Sequence, residues 1–301
     1  MWNLWILLGN SGFFRSEPVQ TALIVGTCAA LVSALIGMFT VLRGNAFAGH
    51  ALADVSSAGG AASLLLGVSP LLGFLGMAWI AAFGMEFLGV RKVRERDLAT
   101  GIVLGAGLGL SALLLYLDVT TTSTTGAAVS VMFGSMFAIP RSLVGPALMA
   151  SAAVFLLAGL LYRPMLLTAV DPDLAAARGI SPRWIGLLQL LTLGLAVAVC
   201  ALAIGAVLAT ALLIGPAGAA IRLSRRPAQA IFWASVIGLT AVWGGIWMAY
   251  ESYYWFSGNA WPVSFFVVTL VFLFYLVAVL VARVTGLSAR PKPVIWPHCE
   301  A

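Results

Sequence analysis

Two ionisable side chains, His50 and Asp54, stand in the otherwise small and apolar run Asn45-Ala-Phe-Ala-Gly-His-Ala-Leu-Ala-Asp-Val-Ser-Ser-Ala-Gly-Gly. Four residues apart, they share one face of a helix. Imidazole nitrogen and carboxylate oxygen are both competent ligands for divalent transition metals. A carboxylate near the centre of a bilayer helix costs roughly 2.5–3.5 kcal/mol on insertion scales, so it is seldom there without a use. The pair therefore points to metal or proton handling. Its structural reading is a hydrogen-bonded lock between two helices. Two ligands do not complete a metal site, which usually takes four or more; a symmetric dimer with its axis near this face would double each of them.

Other polar groups carry less. Asp118 ends an apolar span on the expected outer side and is a candidate acid where cargo arrives, against the simpler reading of a surface carboxylate. Glu86 stands about one turn before a basic loop, where it can pair with Arg91 or Lys92. The tail Trp296-Pro-His-Cys-Glu carries His298 and Cys299 but follows Pro-Lys-Pro and reads as disordered. Of the three cysteines, Cys28 and Cys200 fall in apolar spans, and none has metal or redox spacing. The two lysines, Lys92 and Lys292, lie in no G-x-x-x-x-G-K context, so this chain does not itself hydrolyse ATP. Gly101-Ile-Val-Leu-Gly-Ala-Gly-Leu-Gly109 superficially resembles a nucleotide loop, but inside an apolar span such spacing marks close helix packing.

The elements that hold these residues are membrane helices. The 301 residues are 62% hydrophobic and 9% charged, with a mean hydropathy of +1.06, against about 25% charged in soluble domains. There is too little polar surface to cover a globule in water. Each crossing needs about 20 apolar residues. That length predicts an all-α, polytopic transmembrane bundle of eight to ten spans, with nine expected: Pro18–Leu42, Ala46–Gly67, Pro70–Val90, Leu98–Leu117, Leu143–Leu161, Trp184–Leu202, Gly205–Ile221, Ala230–Tyr250 and Pro262–Val284. Gly205 and Pro216 are candidate breaks in the seventh. Residues 1–17 read as an interfacial segment anchored by Trp2 and Trp5, residues 18–285 as the transmembrane domain, and residues 286–301 as a cytoplasmic tail.

Placing Arg91-Lys-Val-Arg-Glu-Arg-Asp97 in the cytoplasm puts all but Arg15 and Arg141 of the 16 Lys and Arg residues on the inner side. The net charge of +6 is then topology, not a nucleic-acid footprint. The N-terminus is expected outside and the C-terminus inside. The stretch Thr120–Ala138 is too short to span and suits a re-entrant or surface segment. One cytoplasmic loop, residues 163–183, differs from the rest. Asp171 can cap a short helix that has Pro172 at its first position and Gly179 at its end, as a docking helix for a soluble partner would.

Four segments in order carry a resemblance. Leu42-Arg-Gly-Asn-Ala-Phe-Ala-Gly-His-Ala-Leu-Ala-Asp, Phe133-Gly-Ser-Met-Phe, Asp171-Pro-Asp-Leu-Ala-Ala-Ala-Arg-Gly and Gly205-Ala-Val-Leu-Ala-Thr-Ala-Leu-Leu-Ile-Gly-Pro-Ala together resemble the permease of bacterial ABC transporters for manganese, zinc and iron(II). The likeness covers roughly residues 18–285. One departure is plain: in the family the acid comes first and the histidine four residues later, whereas here His50 precedes Asp54. The resemblance implies a homodimer in the bacterial inner membrane, cytoplasmic ATPase subunits, and an extracytoplasmic binding protein that delivers metal. It implies that His50 and Asp54 hold the ion transiently. It also implies that Asp171, Asp173, Leu174, Arg178 and Gly179 dock the ATPase, and that import proceeds by alternating access. No permanently bound cofactor is expected, and no enzymatic activity. The rivals are a permease for a metal chelate such as a siderophore, a proton- or sodium-coupled secondary transporter relaying through Asp54, and a membrane metalloenzyme, for which His50 and His298 supply too few ligands.

Overall fold

The computed structural model describes residues 13–88, 93–121, 126–255 and 261–285, and every long element among them is an α-helix. In chain order these are α1 (Glu17–Leu42), α2 (Ala46–Leu66), α3 (Pro70–Leu88), α4 (Val93–Thr121), α5 (Ala127–Phe133), α6 (Val144–Val170), α7 (Pro172–Ala177), α8 (Pro182–Ile204), α9 (Ala206–Leu223), α10 (Pro227–Trp255) and α11 (Val263–Val284). Eight of these helices are long and apolar enough to cross a membrane. The chain is a multi-pass membrane protein.

The remaining long helix, α2, has 21 residues, about 31 Å at 1.5 Å per residue, which matches a bilayer core. It lacks a membrane-length stretch as apolar as those of the other long helices because it carries His50, Asp54, three serines and three glycines. That composition does not have to face lipid. α2 packs against α3, α4, α8, α9 and the short α5, and Gly49 together with nearly all of Ala51–Ser63 is buried. Its serines satisfy themselves locally, as polar groups away from water must. Ser56 Oγ donates to Ala53 O at 2.6 Å and Ser63 Oγ to Gly60 O at 2.6 Å.

Small residues set the close approaches. A Cβ on Gly59 would collide with the backbone of Gly73, and one on Gly73 with that of Gly59, so α2 and α3 touch main chain to main chain. In the Gly101–Gly109 run of α4 the glycine that packs is Gly107, against Val55; Gly101, Gly105 and Gly109 meet nothing within 4 Å in this chain. The interior of the bundle is α1 and α8, the latter with 83% of its central window buried. α6, α4 and α11 lie outermost, at 22%, 28% and 28%.

Several helices differ from the spans read off hydropathy. α6 runs on through Pro164 to Val170, so the first part of the 163–183 loop is an extension of the helix. α9 is continuous through Pro216, and the chain breaks only at Gly205, between α8 and α9. There φ is +85°, a left-handed conformation that glycine adopts without strain. Gly134, with φ +73°, ends α5 against this break; a Cβ on it would lie 2.5 Å from Gly205 N. Within the Thr120–Ala138 stretch a seven-residue helix, Ala127–Phe133, too short to cross, is tucked against α2, α8 and α9, and a 3-10 turn at Met136–Ala138 follows it. Ser264 Oγ on α11 donates to Phe133 O at 2.6 Å and holds its end.

Candidate metal-transfer site and docking helix

His50 and Asp54 lie one helical turn apart on α2, and His50 Nε2 stands 3.3 Å from Asp54 Oδ2. The other ring nitrogen, Nδ1, is 3.1 Å from Thr210 Oγ1 on α9. Thr210 is in the second turn after the Gly205 break, so the break sets the hydroxyl's height against α2. Gly49 admits that approach: a Cβ there would lie 3.3 Å from Leu213 Cδ2 and 3.4 Å from Thr40 Cγ2. The two members of the pair differ in access. The side chain of His50 is 43% exposed and that of Asp54 only 10%. Asp54 Oδ1 is buried and has no hydrogen-bond partner among the described residues.

This arrangement has a definite chemical capacity. When Nδ1–H donates to Thr210 Oγ1, the lone pair of Nε2 is left facing Asp54. An imidazole nitrogen and a carboxylate oxygen bound to one tetrahedral ion at about 2.0–2.2 Å would be roughly 3.3–3.5 Å apart. The observed 3.3 Å is that bite. Thr210 occupies the position, on the second ring nitrogen, where a metal-ligating histidine ordinarily has its orienting partner. Among the described residues no group of three or more His, Cys, Asp or Glu gathers anywhere, so His50 and Asp54 stand as a pair with the Thr210 hydroxyl beside them. Sequence reading missed Thr210, although it is the sole hydroxyl between Gly205 and Pro216.

The turn leading into α2 is anchored separately. Arg43 ends α1 and donates to Oε1 of Gln189, a fully buried residue on α8. Glu86 meets Arg183 Nε at 3.1 Å; Arg91 and Lys92, its expected partners, lie outside the described residues. Arg43, Glu86 and Arg183 border a cavity of about 870 Å³ that also touches Asn45, Asp97 and Pro172, between the start of α2 and α7. Asp118 is on the last turn of α4 and is 1% exposed, a buried group instead of the surface carboxylate that the span boundary suggested. His298 and Cys299 fall outside the described residues.

α7 is built as its sequence requires. Asp171 Oδ1 accepts from Leu174 N at 2.9 Å, with Pro172 at the first helical position. Gly179, at φ +77°, lets the chain turn back, and Ile180 N reaches Ala175 O at 3.0 Å. Ala175 is the buried foot; Asp173, Leu174 and Arg178 point outward, with Leu174 42% exposed.

A bundle of membrane-crossing helices, with a half-exposed histidine beside a buried aspartate on α2 and a capped helix displayed at one end, is the architecture of a multi-pass membrane protein. The chain belongs to the ABC 3 transport family, whose profile matches residues 15–282. It is 27% identical over 244 residues to the manganese transport system membrane protein MntC of Listeria monocytogenes, covering 81% of this chain and 86% of that protein. It is 26% identical to the high-affinity zinc uptake system membrane protein ZnuB of Haemophilus influenzae, covering 76% and 87%. Among solved structures, PsaBC from Streptococcus pneumoniae in complex with Fab superposes with a TM-score of 0.78 at 25% identity, over 91% of this chain and 95% of that one.

Proposed function

We propose that this chain is the membrane permease of an ABC importer for a divalent transition-metal ion, working as a homodimer with cytoplasmic ATPase subunits and an extracytoplasmic metal-binding protein. Similarity to permeases named for manganese and zinc supports the cargo class. The observation that carries the assignment of residues is the His50–Asp54 pair, at ligand spacing and oriented by Thr210.

Metal is cargo here, so binding must be favourable yet escapable. Two side chains per protomer make a site of that kind. Across a two-fold axis they become two imidazoles and two carboxylates, a set that suits zinc, manganese or iron. Asp54 supplies charge to strip water from the ion, and its partnerless Oδ1 provides a second oxygen. With α2 running from cytoplasm to exterior, Asp54 lies one turn outward of His50, so an incoming ion reaches the carboxylate first and the more exposed imidazole passes it on inward. Alternating access follows ATP binding and hydrolysis in the partner subunits, whose motion enters through Asp171, Asp173, Leu174, Arg178 and Gly179 on and around α7. The inner-membrane orientation has the N-terminus outside, the C-terminus and α7 in the cytoplasm, and Asp118 toward the outer end of α4.

The test is metal uptake by the assembled transporter carrying His50→Ala with Asp54→Ala. Uptake is expected to fall by on the order of 100-fold while the ATPase subunits still co-purify. Unchanged uptake would remove the pair from the pathway. Uptake that needs no ATPase subunit would instead identify a secondary transporter relaying through Asp54.

A further inference from the structure

A second cavity, about 650 Å³, opens between the C-terminal ends of α1, α9 and α11. Its walls are apolar, formed by Val41, Ile214, Ile221 and Val279, and two guanidinium groups border it, Arg222 and Arg283. Both arginines are exposed, and among the described residues neither has a carboxylate within ion-pair distance. Arg222 is already positioned: Nη2 donates to Tyr275 Oη at 2.9 Å, and the guanidinium carbon lies 5.2 Å from the centre of the same ring. Gly218 lines the space beneath Tyr275, where a Cβ would sit in ordinary contact at 3.6 Å from the ring and a larger side chain would fill the cleft.

From these features we infer that the cleft is a binding site for an anionic phospholipid of the leaflet nearest α7. The chemistry is that of an amphiphile. Guanidinium forks recognise phosphate oxygens in pairs of hydrogen bonds, and basic pockets between transmembrane helices are where acidic headgroups lodge. A free phosphate ion would leave the Val41, Ile214 and Val279 walls unused, whereas an acyl chain covers them. The neighbouring α11 is among the outermost helices, so lipid has direct access from the side. Arg222 is on α9, the helix that carries Thr210, and a bound lipid would therefore hold that helix against α11.

The experiment uses the full-length, assembled permease in detergent. Phosphatidylglycerol, phosphatidylcholine and inorganic phosphate are each titrated, with native mass spectrometry reporting retained lipid and thermal unfolding reporting stabilisation. Phosphatidylglycerol is expected to be retained and to raise the unfolding midpoint, while phosphatidylcholine and phosphate do neither. Arg222→Gln with Arg283→Gln should weaken phosphatidylglycerol binding by roughly tenfold or more. Gly218→Leu, which fills the apolar part and leaves both arginines, should lower retention as well; if that variant does not fold, the arginine pair decides. Equal effects of the two lipids would overturn the proposal. Stabilisation by phosphate alone would overturn it in favour of a small-anion site. Conversion of dimers to monomers by the arginine substitutions would overturn it in favour of a second copy of the chain in the cleft.

Discussion

Helices α2 and α11 are similar in length and opposite in character. α11 is the most hydrophobic span, with a mean hydropathy of 3.0 over its central window, and only 28% of that window is buried. α2 carries a histidine, an aspartate, serines and glycines, and is buried over most of its length. The difference lies in what surrounds each helix. Most of α11 is left uncovered by the rest of the chain, so its middle is almost wholly apolar, as a lipid-facing surface requires. α2 is solvated by other helices, so it can carry polar groups wherever a neighbour or its own backbone satisfies them. A helix bearing cargo ligands has to be of the second kind, because lipid would reject what the ion needs.

The sharpest way to break this contrast is to treat both helices alike. Gly59→Val puts a side chain where α2 meets the backbone of Gly73. It should destabilise by about 3 kcal/mol or more, or prevent folding, as severe overpacking does. Leu280→Ala on α11, at a residue 60% exposed, should cost under about 0.5 kcal/mol. Thermal unfolding of both variants in one detergent measures the pair. Equal losses would mean that α11 is as tightly packed as α2.

A smaller effect is expected at Thr210. Thr210→Val keeps the shape and removes the bond to His50 Nδ1. Half-saturation for metal should rise about tenfold, the lower end for an orienting partner of a ligand, with Thr210→Ser restoring it. If half-saturation stays put, the hydroxyl does not orient the ring. The smallest effect is a gain. Asp54→Asn replaces a carboxylate that has a partnerless buried oxygen, so stability in detergent should hold or rise by about 1 kcal/mol even as transport falls. A clear loss of stability would show that Asp54 serves the fold.

What could be read from the sequence follows the same division. The spans facing lipid announce themselves by hydropathy alone, and the α7 turn by local chemistry, since an Asp-Pro start and a glycine stop act within a few residues of each other. His50 and Asp54 were visible because their cost in a membrane is a local property. The partners they meet were not. Thr210 lies 160 residues from His50, Gln189 is 146 residues from Arg43, and the Gly134–Gly205 contact joins two chain breaks; each depends on which helices become neighbours. Glu86 shows the same limit. Its ion pair with Arg183 on α8 spans 97 residues of chain. Even the boundary of α4 misled in this way, since Asp118 sits inside a helix that continues to Thr121.

The most direct test of the metal role is spectroscopic. Manganese(II) trapped in the assembled transporter can be examined by electron spin-echo envelope modulation, which detects nitrogen bound to the ion. With His50 and Asp54 as ligands, imidazole nitrogen coupling should be present in the native protein and absent in His50→Ala, with both proteins still dimeric. Bound manganese without nitrogen coupling in the native protein, or coupling that persists in His50→Ala, would contradict the assignment.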